Sequence, residues 1–171
     1  SIKQEAGQFF TPVPLAQFII KSLPIKEFIY NKINNNDSDA LPYVIDFACG
    51  AGHFLTEMMD EIQHIIVNDI KIEDIKKPTL KDDFETWKRT NFKWADKYIY
   101  GIDLDYRLIK TSKISCFLNG DGLANLIHSN GLAKFDNSDY IKNLKSEIDS
   151  KDNQKFDILI ANPPYSVKYF K

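Results

Sequence analysis

Between Tyr43 and Ile62 the hydrophobic period of the chain changes once, and it changes across two glycines. Tyr43-Val44-Ile45-Asp46-Phe47 is a β-rich apolar run broken by a single acid, Cys49-Gly50-Ala51-Gly52 follows, and Phe54, Leu55, Met58, Met59 and Ile62 then recur on one face of a helix. A strand that turns tightly into a helix is the opening of a β-α-β unit, because parallel strands need a crossover between them. The pattern repeats. Tyr98-Ile99-Tyr100-Gly101-Ile102-Asp103 is a second strand, followed by a helix marked by Leu108, Ile109, Ser112, Cys116 and Phe117 and stopped by Asn119-Gly120-Asp121-Gly122. Asn125 to His128 is a short third strand, and Phe156 to Ala161 a fourth, reached through a polar, helix-prone stretch from Tyr140 to Ile148. Each strand is continuously apolar, as strands covered on both faces are. The expected fold is α/β: a doubly wound, mostly parallel sheet of which the first four strands are present, with ligands bound beyond the carboxyl ends of the strands.

Upstream, Phe18, Ile19, Ile20 and Leu23, then Ile25, Phe28, Ile29 and Ile33, read as two short helices split by Pro24. Residues 1–41 are thus expected to be an N-terminal helical segment, and 42–171 the first part of the sheet domain. Residues 67–97 are charged, hold Pro78 and show patchy periodicity around Phe84, Trp87 and Trp94, which predicts an insertion with short helices. A length of 171 residues suits one domain. The chain starts at Ser1 and stops at Lys171 in mid-pattern, so a piece of a longer protein is expected.

Charge and cysteine content exclude several function classes. Lys and Arg number 22 against 24 Asp and Glu, a net charge of -2, and a self-sufficient nucleic-acid binder usually shows a basic face. Any grip on DNA must come largely from outside these residues. Two cysteines, Cys49 and Cys116, cannot build a disulfide framework or a four-thiolate zinc site, and His53, His64 and His128 are scattered, so no metal is expected. The longest apolar runs, Phe18-Ile20 and Ile158-Ala161, fall far short of the roughly 18 residues that cross a bilayer, which predicts a cytoplasmic protein with no membrane contact.

Three segments at predicted strand ends can do chemistry. In Asp46 to Gly52 the glycines allow a tight turn and close approach of a ligand to the backbone, while Asp46 would repel a pyrophosphate and attract a cationic amino group. That combination suits an amino-acid-bearing nucleotide, S-adenosylmethionine; the plain alternative is an ordinary strand-to-helix turn. A ribose is commonly held by a carboxylate about 20 residues after such a turn. Asp69, after Ile65-Ile66-Val67, has the better spacing, and Asp103 the better context, since a patterned helix follows at once. We assign Asp103, with Asp105 as a possible helix cap. Asn162-Pro163-Pro164-Tyr165 directly follows a buried strand. Two prolines remove two backbone donors, leaving the carbonyls of Pro163 and its neighbours and the side chain of Asn162 to accept from a planar exocyclic amine, while Tyr165 offers a ring on which an extruded base can stack. In Gly7 to Pro12, Thr11 is a candidate cap for the first helix and Phe9-Phe10 an apolar surface.

Taken together, GQFFTP (7–12), DFACGAGHFL (46–55), YGIDLD (100–105) and NPPY (162–165) resemble the N6-adenine DNA methyltransferases, most closely the modification subunit of type I restriction-modification systems and its fused relatives. The resemblance implies a seven-stranded, Rossmann-like S-adenosylmethionine-dependent methyltransferase sheet, cut here after four strands. By the family pattern, Gln8, Phe9, Phe10, Thr11 and Pro12 flank the methionine part of the cofactor, Asp46, Gly50 and Gly52 line its amino-acid end, and Asp103 its ribose. Asn162, Pro163 and Tyr165 hold the target adenine. The family usually carries an acid after the third strand to receive the cofactor's adenine amine, and Ser129-Asn130-Gly131 departs from that; Asn130 offers an uncharged amide oxygen instead. The implied partners are double-stranded DNA, a specificity subunit or fused recognition domain, and a restriction subunit. A protein glutamine methyltransferase shares NPPY, since an amide nitrogen presents the same two donors, but is not expected to carry GQFFTP. A non-catalytic cofactor-binding fragment is the third reading, favoured for these residues alone by the missing later strands and missing basic surface.

Overall fold

The computed structural model describes residues 11–118, 125–134, 138–144 and 154–163. Two helices, α1 (Val13–Lys21) and α2 (Ile25–Asn34), come first, on either side of Pro24. Strand β1 (Val44–Asp46) runs through the glycine turn into α3 (His53–Asn68). A 3-10 turn (Ile72–Asp74), α4 (Pro78–Arg89) and the single turn α5 (Ala95–Tyr98) lead to β2 (Ile99–Asp103). Then come α6 (Tyr106–Leu118), β3 (Asn125–His128), α7 (Ser138–Leu144) and β4 (Ile158–Leu159). Among the described residues all strands are parallel and lie in the order β3-β2-β1-β4.

The α/β class, the doubly wound parallel sheet and its four strands are therefore as the alternation of periods predicts. Strand ends differ by at most two residues, and those of β3 agree. The fourth strand pairs only at Ile158 and Leu159 rather than over 156–161, although the Ile158 and Ile160 amides still donate to the Tyr43 and Ile45 carbonyls of the β1 side. Tyr98 closes α5 instead of opening β2, because its ring packs at 4.8 Å on Tyr43 and at 6.1 Å on Trp87 beneath the sheet.

Successive side chains of a strand point to opposite faces, and each face has its own core. On one, Val44, Ile99, Leu126, Ile158 and Ile160 meet α1, α2, α3, α4 and α6. On the other, Ile45, Tyr100, Ile102 and Ile127 meet Tyr140 and Leu144 of α7. The fully buried Leu55, Met58, Met59, Ile62 and Ile66 make α3 the central helix of the larger core, and Ala16 and Ile20 of α1 are buried in the same cluster.

The stretch between α3 and β2 is pinned by one polar side chain. Gln63 of α3 is buried; its Oε1 accepts from the Trp94 indole Nε1–H at 2.8 Å and the Phe92 amide at 3.0 Å, while its Nε2–H donates to the Trp87 carbonyl at 3.1 Å. Phe92 holds a left-handed φ of 60°, a conformation a phenylalanine adopts only under constraint, and the bond to Gln63 supplies part of that constraint. Gln63→Leu fills the same space and leaves the three groups without partners. Each orphaned buried group costs about 1–3 kcal/mol, so urea unfolding should show a loss of at least that size; a variant within a few tenths of wild type would mean that water replaces the amide.

Candidate functional site

In a parallel sheet whose chain leaves β1 first to one side and later returns to the other, the loops after the two flanking strands diverge and open a crevice. Here β2 and β3 lie to one side of β1 and β4 to the other, so that point falls between the carboxyl ends of β1 and β4. Asp46 ends β1, Asp103 ends β2, Asn130 follows β3 and Asn162 follows β4. Asp46, Gly50, Gly52 and Asp103 share the turn after β1, and Asn162 and Thr11 meet on the β4 side. Thr11, Pro12 and Pro163 are likewise described; Gln8, Phe9, Phe10 and Tyr165 lie outside the described residues.

The turn after β1 is shaped by backbone chirality and one carboxylate. Gly50 and Gly52 have φ values of 54° and 84°, in the left-handed region that side chains disfavour. At Gly52 space is limiting as well, since a Cβ would lie 2.8 Å from Ser112 Oγ on α6. Around Gly50 a Cβ would meet nothing within 4 Å, so this backbone faces open space. The Gly50 amide donates to Asp103 Oδ2 at 2.8 Å, its carbonyl accepts from the Ser112 hydroxyl at 2.9 Å, and the Cys49 amide donates to the Ile102 carbonyl at 3.0 Å. Ser112 is fully buried on the apolar stripe of α6 and clamps the turn from below. Sequence reading places Ser112 only on a helix face; the available signal was a small hydroxyl amid Ile109 and Cys116 on a stripe that is otherwise apolar.

Asp103 also accepts the Asp105 amide at 2.8 Å through Oδ1, and Asp105 caps α6 by accepting the Arg107 amide at 2.8 Å. Asp69, the competing acid, is far from this turn. It stands just past the end of α3, whose 16 residues rise about 24 Å from the glycine turn, and there it pairs with Lys26 at 2.7 Å while its carbonyl accepts from the Tyr30 hydroxyl. The structure brings Asp103, and not Asp69, to the glycines.

Asp46 is only 1% exposed. Its Oδ1 accepts the Ala48 amide at 3.0 Å, and Oδ2 has no partner among the described residues. Burial pushes its carboxyl up to about 7 and the charge of Asp103 adds to the rise, against the lowering effect of the Ala48 hydrogen bond. Burial likewise pushes the Cys49 thiol well up, with Asp46 and Asp103 reinforcing it, so this cysteine is held as a thiol and is no nucleophile.

Beyond β3, Asn130 Oδ1 already accepts the Leu132 amide at 3.0 Å, and its carbonyl accepts from the Tyr140 hydroxyl. One lone pair of the oxygen expected to receive an adenine amine is thus used in a local turn. On the β4 side, the Asn162 side chain donates through Nδ2 to Thr11 Oγ1 at 3.0 Å. Thr11 does not cap α1; Pro12 occupies the cap position, and its carbonyl accepts the Leu15 and Ala16 amides. The threonine hydroxyl is instead turned to a residue 151 positions away.

Among the described residues no group of His, Cys, Asp or Glu is placed to hold a metal ion, and no helix is long and apolar enough to cross a membrane.

Comparison with known proteins fits this arrangement. The chain is similar to the type II restriction enzyme and methyltransferase RM.BcgI of Heyndrickxia coagulans, at 31% identity over 78% of the chain and 16% of that protein. It is also similar to the type II restriction enzyme and methyltransferase RM.Eco57I of Escherichia coli, at 30% identity over 70% of the chain and 14% of that protein. The chain therefore spans less than a fifth of the length of these curated relatives. The family described as N-6 DNA Methylase matches residues 1–171, from the segment ahead of α1 through the four parallel strands to the segment after β4, and this chain belongs to that family.

Proposed function

We propose that this chain is the cofactor- and base-binding part of an S-adenosylmethionine-dependent enzyme that methylates the N6 amine of adenine in DNA within a restriction-modification system. The observation that carries the reading is the convergence on one crevice of a buried acid, a glycine turn facing open space, a second acid at the neighbouring strand end and an asparagine beyond the opposite strand. The relatives, restriction enzymes as well as methyltransferases, favour DNA over a glutamine side chain as the acceptor.

The residues fit the cofactor. The buried Oδ2 of Asp46 lacks a partner among the described residues and is matched by a cationic amine; the open backbone at Gly50 leaves room for a ligand; Asp103 carries a second charged acceptor for hydroxyls at the end of β2. The N-terminus of α3, which follows Gly52 directly, suits the carboxylate of an amino acid, because a helix start favours an anion. Bound there, the cofactor supplies an electrophilic methyl group. The chain's part is to hold the acceptor: Asn162 and the Pro163 carbonyl accept from the two N–H groups of the adenine amine, so that its lone pair faces the methyl, and Tyr165 stacks on the base drawn from the duplex. Positioning of this kind needs no strong general base. Phosphate contacts come from outside these residues, since a net charge of -2 releases few counterions. Double-stranded DNA is then engaged through a recognition region, fused or in a separate specificity subunit, with a restriction activity in the same system.

Asp103→Ala should lower cofactor affinity by about 1.5–3 kcal/mol in titration calorimetry, at least tenfold, the worth of a charged acceptor. Asp69→Ala, beyond the far end of α3, should leave it unchanged; the reverse pattern would move the ribose site to Asp69. Asn162→Ala in the full-length enzyme should abolish tritiated-methyl transfer to unmethylated DNA with cofactor affinity nearly intact, and full activity would remove Asn162 from the acceptor pocket.

The raised carboxyl of Asp46 gives a pH signature. Its folded value of about 7 lies above the ordinary 3.8, so the folded chain keeps a proton that the unfolded chain loses, and stability falls as pH rises between those values. A cation beside Asp46 favours the carboxylate and expels that proton. Calorimetry near pH 6 in buffers of different ionisation enthalpy should show proton release on cofactor binding, absent in Asp46→Asn; equal heats across buffers would place the amine elsewhere.

A further inference from the structure

Two segments from opposite ends of the described chain meet in one hydrogen bond, and neither strand pairing nor helix packing requires it. Asn162 stands just beyond β4, where the Ile160 amide donates to the Ile45 carbonyl. Thr11 stands just before α1, whose Ala16 and Ile20 are 0% and 1% exposed in the core around α3. Both side chains are partly buried, and Asn162 Nδ2–H donates to Thr11 Oγ1 at 3.0 Å.

We propose that Thr11 is a positioning residue for methyl transfer: its hydroxyl accepts from Asn162 Nδ2 and so holds the amide plane with Oδ1 turned away from α1, toward the acceptor amine. This rests on the reading of Asn162 as the group that receives the target amine. The χ2 torsion of asparagine is broad and nearly two-fold, so a side chain fixed only by its own rotamer samples both faces of its amide. In the turned-over form the NH2 group would face another amine, donor against donor. The nitrogen of an amide plane cannot be fixed without fixing its oxygen, so the bond to Thr11 contributes to the orientation of the acceptor. Thr11 is suited to this because it does not spend its hydroxyl on capping α1 and because α1, anchored by Ala16 and Ile20, gives it a fixed base. The helical segment ahead of the sheet thereby acts on the acceptor pocket, in addition to any contact with the cofactor.

The test uses the full-length enzyme with Thr11→Val, which keeps the shape and removes the hydroxyl, and Thr11→Ser, which keeps the hydroxyl. Single-turnover methyl transfer at saturating cofactor and DNA should fall roughly ten- to a hundredfold in Thr11→Val, the scale of a misdirected reacting group. Cofactor affinity should fall by much less than the rate, no more than a few-fold, the melting temperature should stay at the wild-type value, and Thr11→Ser should recover most of the rate. A Thr11→Val enzyme with the wild-type rate overturns the positioning role while leaving the functional reading standing. A cofactor affinity that falls by the same factor as the rate also overturns it, since Thr11 then acts on the cofactor directly, as does a Thr11→Ser variant no faster than Thr11→Val. If the unaltered enzyme transfers no methyl group to adenine, the functional reading fails and the positioning role fails with it.

Discussion

The carboxylate of Asp103 is the interaction on which the crevice depends. Its two oxygens accept the Gly50 amide from the turn after β1 and the Asp105 amide from the turn after β2, both at 2.8 Å, so one side chain ties together the loops of two adjacent strands. Through Gly50 it holds the left-handed turn that leads into α3; through Asp105 it sets the cap of α6. The Ser112 hydroxyl returns from α6 to the Gly50 carbonyl and closes the circuit. A charged acceptor bonded to backbone amides is worth more than a neutral one. The turn is thus held by the group proposed to receive the cofactor's ribose, and on that proposal loss of Asp103 disturbs binding and loop geometry together.

The class of fold was legible because its signal is physical and local. A β-rich run such as Tyr43 to Phe47 followed by glycines and a helical stripe has few other solutions, and the parallel arrangement follows once several such units share a chain. Strand ends were less legible. Phe156 to Ala161 is apolar throughout, yet Leu159 is 66% exposed, since β4 pairs on one side only among the described strands and α7 covers the β2 and β3 side of that face. Composition records apolar residues and not what lies over them.

The candidate site divides the same way. Asp46, Gly50, Gly52 and Asp103 could be named because strand ends and glycines are visible in sequence, and the choice of Asp103 over Asp69 rested on the helix that follows it. Ser112 and the use of Thr11 could not be. Ser112 acts across 62 residues and Thr11 across 151, and no spacing rule reports a contact of that range. Gln63 is the same case in the core: a polar residue on an apolar face reads as a fault in the pattern until its three partners, Trp87, Phe92 and Trp94, arrive from the following segment.

Asp46 shows what the rest of the domain must support. A carboxyl 1% exposed and pushed up to about 7 opposes folding at neutral pH, because the ionised form has left water for a single amide hydrogen bond. Strand pairing does not require a charge there; β1 pairs through its backbone on both sides, and a neutral asparagine could accept the Ala48 amide as well. The cost falls on a domain whose core is otherwise dense around α3, with Met58, Met59, Ile62 and Ile66 fully buried. That reserve lets an unfavourable charge persist at the strand end. A cationic group beside Oδ2 removes the penalty, so the strain at Asp46 becomes affinity for a cation and preference against an anion at the same place. The acid proposed to select a cation over a pyrophosphate and the acid whose burial opposes folding are one residue, so on that proposal the chemical selectivity of this turn is tied to the stability of the domain that carries it.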